Sequence, residues 1–144
     1  MALFEPTRNE ARRFFFDTWA KYSRGEVLSG LEHTALAVIL LHPEYHAVLA
    51  DPERALALEF TPEKGEMNPF LHLSLHLAVE EQISIDQPRG IRSRYEALAR
   101  KSGSEHDAKH AVLECLGETV WQAQRLGTAL DEAAYLSCLD RKIA

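Results

Sequence analysis

Apolar side chains recur at helical spacing near the start of this chain. Phe15, Trp19 and Tyr22 follow one another at intervals of four and three residues, and charged residues fill most of the positions between them. This periodicity is typical of an amphipathic helix, so it predicts one over residues 8–22, with Gly25 ending it.

Start and stop signals divide the rest of the chain into further helices. Capping-box patterns begin at Ser29 and at Ser104, an Asn-Pro pair stands at residues 68–69, and Asp131 can cap a last helix. These signals predict helices over residues 29–41, 68–84, 91–101, 104–126 and 131–144. A shorter helical segment over 44–58, broken near Asp51 and Pro52, and a loop over 60–67 complete the prediction.

The segment from Leu71 to Leu77 carries a second pattern, because its leucines alternate with His72, Ser74 and His76. Such alternation is also typical of a half-buried strand, in which residues four apart are separated by roughly 13 Å. In a helix the same residues lie one turn apart on one face. The Asn-Pro start and the Ala-Val-Glu-Glu-Gln continuation favour the helix, and no neighbouring segment has strand character.

The predicted fold class is therefore all-α. We expect an irregular bundle of about six helices, with a four-helix core as one candidate arrangement. A length of 144 residues suits one domain with its own core, so residues 1–144 are predicted to form a single helical domain.

Composition narrows the function classes. The net charge of −6 and the absence of a clustered basic stretch argue against a nucleic-acid partner. The longest uncharged run, Asn68 to Val79, is shorter than the roughly 20 residues that a membrane helix needs, so no membrane partner is expected. The two cysteines lack C-x-x-C spacing, which predicts neither a disulfide framework nor a thiolate zinc site, and Cys115 is expected to be a small apolar core residue. With no export signal, a cytoplasmic location is predicted.

The histidines depart from a random distribution. Six of the seven form three H-x-x-x-H pairs, His42 with His46, His72 with His76, and His106 with His110. A random placement would give roughly 0.3 such pairs. On a helix the two rings of a pair can reach one metal ion, which is why metal sites use this spacing. A single buried histidine is more often a hydrogen-bonded core residue, so co-location of two pairs carries the metal hypothesis.

The three pairs differ in strength. Pro43 directly follows His42, which predicts a non-helical conformation there and weakens that pair. The other two pairs each lie in the first two turns of a predicted helix, and an up-down-up arrangement would bring them to the same end of the bundle. Carboxylates continue both stripes. The predicted metal ligands are His72, His76, His106 and His110, with Glu80, Glu114 and His46 as candidates that complete the shell.

Several strings resemble those of the bacterial domain-of-unknown-function family DUF1841: HPEYH, NPFLHLSLH, EEQISIDQPRGIR, HDAKH, ECLGE and WQAQR. The resemblance spans nearly the whole chain and implies a shared site, but no reaction. The histidine pairs are also similar to those of hemerythrin-like di-iron bundles, without matching their full ligand spacing. His106-Asp107 resembles the motif of the HD phosphohydrolases, although Asp107 has a simpler role in the capping box.

Two functional hypotheses follow from these patterns. The first is a metal-binding bundle for zinc or iron, with manganese and nickel as alternatives, which acts as a metal-dependent hydrolase or as a dioxygen or di-iron protein on a small-molecule substrate. The second is a non-catalytic interaction module with structural histidines, for which a second copy in a homodimer is one candidate partner. Metal content separates the two hypotheses.

Overall fold

The computed structural model describes residues 8–57 and 68–144, and helices account for nearly all of their regular structure. The eight α-helices within these ranges are α1 (Arg8–Ser23), α2 (Gly30–Leu40), α3 (His46–Leu49), α4 (Pro52–Ala57), α5 (Pro69–Ile85), α6 (Ile91–Ser102), α7 (Glu105–Leu126) and α8 (Glu132–Ile143). No strand occurs in these ranges, so the all-α prediction is confirmed. None of these helices is both long and apolar enough to cross a bilayer.

The expected number of helices, about six, is too low. The difference arises over residues 44–58, where a 3₁₀ turn (Pro43–Tyr45) and the short helices α3 and α4 replace one broken helix. Pro43 and Pro52 each begin one of these pieces, because proline lacks the N–H group that a continuing helix needs. The predicted loop at residues 60–67 lies outside the described residues.

Side-chain caps set the starts of the helices that carry histidines. The Asn68 carboxamide oxygen accepts hydrogen bonds from the backbone N–H groups of Phe70 and Leu71, at 2.9 and 3.2 Å. The Ser104 hydroxyl accepts one from the N–H of Asp107 at 3.1 Å. These bonds satisfy N–H groups that have no partner inside the helix, which fixes where each helix begins. The caps predicted at both positions are therefore confirmed.

The turn between α5 and α6 is held by one carboxylate and one guanidinium. Asp86 has a positive φ of 54°, and its carboxylate accepts hydrogen bonds from the N–H groups of Arg92 and Gly90. These bonds, with that from Arg92 the strongest, lower the pKa of Asp86. The Arg92 guanidinium donates to the carbonyls of Ile83 and Ser84 at the end of α5. The end of the histidine-bearing helix is thereby fixed as firmly as its start.

Contacts along the chain group into two compact units. The described residues up to Leu77 form the N-terminal unit, and Ala78–Ala144 form the C-terminal unit. Helix α5 supplies its first half to the N-terminal unit and its second half to the C-terminal unit. That the whole chain is one domain stays a prediction.

In the N-terminal unit, α1 packs against α2, α3 and α4 around a core of aromatic and aliphatic side chains. The core residues are Phe15, Phe16, Ala35, Val38, Ile39, Leu49, Phe70, Leu73 and Leu77. The buried Arg12 guanidinium lies 4.7 Å from the centre of the Phe70 ring. At this distance the cation interacts favourably with the ring face, which helps to offset the cost of its burial.

In the C-terminal unit, α6, α7 and α8 pack against one another, and Cys115 of α7 forms a disulfide with Cys138 of α8. The expectation that the chain lacks a disulfide is wrong. The two residues are 23 positions apart, so no local sequence motif predicts the disulfide. Packing of α7 on α8 brings their Cα atoms to 5.8 Å, a distance that a disulfide can span. A buried hydrogen bond from the Tyr135 hydroxyl to the Gln82 side-chain oxygen, 2.7 Å long, ties α8 to α5.

Candidate metal centre

Helix α5 presents His72 and His76 on one face, one turn apart, with their ring centres separated by 4.8 Å. The helical prediction for this segment is confirmed, since a strand would hold the two rings much farther apart. His76 is buried and His72 is half-buried, so both rings stand at the edge of the apolar core rather than in solvent.

His42 joins this pair from the segment that follows α2. It caps the 3₁₀ turn with φ −127° and ψ 66°, a non-helical conformation, as the adjacent Pro43 predicts. Its buried ring lies 4.9 Å from the His72 ring and 4.8 Å from the His76 ring, measured between centres. The two Nε2 atoms of His42 and His72 are 3.2 Å apart. Pro43 weakens the predicted pairing of His42 with His46, yet the same break in the helix lets the His42 ring face α5.

One hydrogen bond sets the protonation of the His42 ring. Its Nδ1 lies 2.8 Å from the carbonyl oxygen of Val38. A carbonyl oxygen only accepts, so Nδ1 carries the proton and donates it. The Nε2 atom, on the opposite side of the ring, faces His72 and is the atom that could bind a metal ion. Histidine ligands of metals are commonly oriented in this way, by a backbone carbonyl bonded to the opposite ring nitrogen.

Tyr45 forms one wall beside these rings. Its ring is parallel to that of His42 within 8° at 5.6 Å, and it meets the His72 ring edge-on at 5.8 Å. Burial raises the pKa of Tyr45, and the nearby Glu44 charge raises it further. The phenol therefore stays protonated at neutral pH, as a hydrogen-bond donor beside the histidines.

The distances between the three histidines suit a shared metal ion. One ring nitrogen from each of His42, His72 and His76 lies within 4.8 Å of the others. Ligand nitrogens at 2.0 to 2.1 Å from a tetrahedral zinc ion are about 3.3 Å from each other. The Nε2 separation of 3.2 Å between His42 and His72 already matches that value. The cluster could thus hold a metal ion, with His76 as the third ring.

Comparison with models of known protein families gives a match for this chain. It matches the family described as a domain of unknown function, DUF1841, over residues 7–141. The chain belongs to this family. No curated protein and no solved structure matches it, so relatives supply no reaction or ligand.

His46, which the sequence predicts as a candidate that completes the metal shell, has partners other than the three clustered histidines in this DUF1841 chain. Its Nε2 lies 2.9 Å from the carbonyl oxygen of Ile39, and its ring stacks on Trp19 with centres 4.3 Å apart. Because the carbonyl accepts, Nε2 of His46 donates a proton to it. Only the Nδ1 atom then retains a lone pair, and a role of His46 as a ligand stays a prediction.

The remaining predicted ligands of the DUF1841 chain lie in the C-terminal unit. His106 and His110 stand one turn apart on α7, with ring centres 4.2 Å apart. Glu80 pairs with Lys109 at 2.8 Å and Glu114 with Lys142 at 2.7 Å. Burial alone would lower the pKa of Lys109, but the hydrogen bond and charge of Glu80 raise it overall. Both carboxylates are thus engaged with cations, and the ligand roles of these four residues stay predictions.

His42 was not among the ligands predicted from the sequence. Its spacing to His46 was visible, but its contacts are with residues 30 positions later in the chain. The one local signal was the proline itself, which breaks the helix directly after a histidine. Such a break shows that the side chain need not follow the helix, but it does not predict the direction that the side chain takes.

Proposed function

We propose that this protein binds one divalent transition-metal ion through His42, His72 and His76. The observation that carries the proposal is the approach of the His42 and His72 Nε2 atoms to 3.2 Å while the opposite nitrogen of His42 bonds to a backbone carbonyl. This combination supports a ring held in one orientation and one tautomer, with its lone pair aimed at the cluster.

A hydrogen bond between imidazoles is the simplest alternative for the short Nε2 separation. Such a bond joins two rings, whereas the third ring, that of His76, lies equally close to both. An ion at the centre contacts all three at once. Imidazole nitrogens are common ligands of transition metals, and one ion can be shared by three rings at once.

The donor set favours zinc or iron, with manganese and nickel as alternatives. Imidazole nitrogen suits zinc, iron and nickel, while manganese prefers more oxygen ligands. Three protein ligands leave at least one coordination position for water or substrate, as in catalytic rather than structural zinc sites. In this proposal the metal supplies an activated water for hydrolysis or a site for dioxygen, and the protonated Tyr45 supplies a hydrogen-bond donor beside it.

Metal content tests the proposal directly. Protein purified without a histidine tag is analysed by elemental mass spectrometry, with His42→Ala, His72→Ala and His33→Ala alongside the wild type. His33 is an exposed residue of α2 and serves as the matched control. We expect near-stoichiometric metal in the wild type and in His33→Ala. Each ligand variant should bind more than about 100-fold more weakly, since even outer residues change metal affinity 10- to 100-fold.

A His110→Ala variant tests whether the sequence prediction for α7 also holds. If His110 is a ligand, the variant loses affinity as His72→Ala does, and His72→Ala/His110→Ala loses more than either. If His110 is not a ligand, its loss leaves the three-histidine site unchanged. Failure of the wild type to take up zinc, iron, manganese or nickel would overturn the proposal and favour the interaction module.

A further inference from the structure

The disulfide of the C-terminal unit opens on one side to a groove. Cys115 is fully buried, whereas Cys138 is 9% exposed and lines a groove of about 370 Å³ between α7 and α8. Thr119, also in the groove lining, donates its hydroxyl proton to the Cys115 carbonyl at 2.6 Å and is buried with it. Cys138 lines the groove and Cys115 does not, so a molecule in the groove lies beside Cys138 rather than beside Cys115.

Two opposite charges flank this disulfide. Glu118 lies three residues after Cys115 on α7, and Arg141 lies three residues after Cys138 on α8; both line the groove and are exposed. The short connection of residues 127–131 makes the packed helices α7 and α8 antiparallel. Because the helices run in opposite directions, Glu118 and Arg141 are displaced from the disulfide toward opposite ends of the helix pair. Each displacement is three residues, so the two charged residues lie on either side of the disulfide, roughly 9 Å apart along the helix axis.

We propose that Cys138 is a thiol-exchange site for a short zwitterionic thiol peptide of the glutathione type. The peptide's ammonium group would face Glu118 and its terminal carboxylate would face Arg141, with its cysteine between them over Cys138. Glu118, Cys138 and Arg141 line one groove, and Cys138 stands between the two charges, which is the order that such a peptide requires.

The exchange proceeds in two balanced steps. The peptide thiolate attacks the Cys138 sulfur, a new sulfur–sulfur bond forms, and the Cys115–Cys138 bond breaks with its electron pair moving to Cys115, which takes a proton from water. A second peptide thiolate then attacks the peptide sulfur of the mixed disulfide and releases Cys138 as a thiol. Two peptide thiols are oxidised to their disulfide, and one protein disulfide is reduced.

Burial of Cys115 explains why the exchange returns to the disulfide. An apolar environment disfavours the thiolate, so Cys115 is a poor leaving group and the mixed disulfide forms slowly. Once freed, Cys115 is held next to Cys138, and this proximity offsets the small thiolate fraction. After its thiol gives a proton to water, the Cys115 thiolate attacks the Cys138 sulfur, the Cys115–Cys138 bond forms again, and the peptide leaves as its thiolate. In a chain predicted to be cytoplasmic, a reversible disulfide is the expected kind, because disulfides in that compartment are usually transient and catalytic or redox-sensing.

The first test locates the adduct. Folded Cys115→Ala and Cys138→Ala proteins are incubated with glutathione disulfide and analysed by intact mass and peptide mapping. We expect one stable adduct on Cys138 in Cys115→Ala and none in Cys138→Ala. Both variants lose the disulfide, so circular dichroism is used to check that they are folded. In a separate experiment, oxidised wild type is treated with glutathione and quenched with acid, and peptide mapping then shows which cysteine carries the glutathione. An adduct on Cys115 in the folded wild type, or none on Cys138 while urea-unfolded protein reacts, would overturn the proposal.

The second test addresses recognition by the groove. In the Cys115→Ala background, Glu118→Gln and Arg141→Ala should slow modification by glutathione disulfide by about threefold or more, because surface charges act chiefly on association. The rate with neutral bis(2-hydroxyethyl) disulfide should stay unchanged. Lys142→Ala is the matched control, since Lys142 neighbours Arg141 but pairs with Glu114 outside the groove. Equal slowing with both disulfides would overturn the recognition of a zwitterionic peptide.

Discussion

The two units of this protein each bring distant parts of the chain together, but by different means. In the C-terminal unit a covalent bond joins Cys115 to Cys138, 23 residues later. In the N-terminal unit the imidazoles of His42 and His72, 30 residues apart, approach to 3.2 Å. The first junction is a bond within the polypeptide, whereas the second brings together side chains that could hold a metal ion. The proposed metal binding therefore concerns the N-terminal unit.

Charged and polar side chains also differ between the two units in how far they are buried. In the C-terminal unit, Arg94 pairs with Asp140 across α6 and α8, and the Lys101 ammonium donates to the carbonyls of Lys142 and Ala144 at the end of α8. A cation at a helix C-terminus is favourable, although exposed pairs contribute at most about 1 kcal/mol each. The N-terminal unit has an ion pair of its own, Lys21 with Glu32, and it also buries the polar side chains of Arg12, His42 and His76. Burying a polar group is costly unless it is hydrogen-bonded or paired, and His42 meets this requirement through its bond to the Val38 carbonyl.

The largest effect that would sharpen this comparison is loss of the disulfide. Replacing both Cys115 and Cys138 with alanine should lower the free energy of unfolding of the C-terminal unit by roughly 3 kcal/mol, because the closed loop no longer restricts the unfolded chain. Hydrogen exchange by mass spectrometry in urea reports each unit through its own peptides. Protection of α7 and α8 should fall while that of α1 and α2 stays unchanged. Equal losses of protection in the peptides of both units would show that the disulfide does not support the C-terminal unit alone.

The second effect is metal binding by the N-terminal unit. Zinc at 100 times its dissociation constant should stabilise the folded N-terminal unit by about 2.7 kcal/mol, because the unfolded chain lacks the assembled ligands. The same hydrogen-exchange measurement should show the gain in peptides of α2 and of the first half of α5. His72→Ala should abolish it, and His33→Ala should keep it. A gain that survives His72→Ala would place the metal elsewhere in the chain.

Local signals predicted the helices well because caps and periodicity act within a few residues. Asn68 accepts from Phe70 and Leu71, which are its near neighbours, so the start of α5 could be read from the residues around it. The same holds for Asp131, whose carboxylate accepts from the N–H of Ala134 at the start of α8. With α5 assigned as a helix, the one-turn spacing of His72 and His76 followed from geometry alone.

The partners of these residues could not be predicted, since they depend on packing between segments distant in sequence. Nothing near Glu114 indicates that Lys142 will pair with it, and nothing near Cys115 indicates Cys138. The same limit applied to His42, whose orientation depends on the 3₁₀ turn and on α5 together. The sequence could predict which candidate ligands share a helix face, but it could not predict which helix faces come together in the fold.

The third effect concerns the buried hydrogen bond of the C-terminal unit. Tyr135→Phe should destabilise that unit by about 2 kcal/mol, because Gln82 would lose its buried 2.7 Å partner and keep the cost of burial. Burial also raises the pKa of Tyr135, so the hydroxyl donates throughout the usual pH range. Tyr22→Phe, at a 45% exposed position of α1, is the control and should have little effect. A larger loss in N-terminal than in C-terminal peptides would contradict the assignment of this bond to one unit.

The smallest effect is the pH dependence of the cap of α2, which tests whether an ionic contact also supports the N-terminal unit. The Glu32 carboxylate accepts a hydrogen bond from Lys21 at 2.8 Å and two from Ser29, from its N–H and its hydroxyl. These bonds, that from Lys21 first, lower the pKa of Glu32 from 4.5 to about 2. A lowered pKa means that the unfolded chain takes up the proton first as the pH falls.

The contribution of Glu32 is therefore complete above pH 4.5 and is lost as the pH falls from there through about 2. We expect the stability of the N-terminal unit to decline over this window in the wild type and to decline less in Glu32→Gln, which cannot titrate at this position. Added salt should reduce the difference, because Lys21 is partly exposed and its charge is screened. Glu26→Gln, which alters an exposed pair with Arg24, is the control and should keep the wild-type pH profile. If Glu32→Gln and the wild type decline in parallel, the ionic contact gives the N-terminal unit no support, and its contrast with the charge-reinforced C-terminal unit becomes sharper.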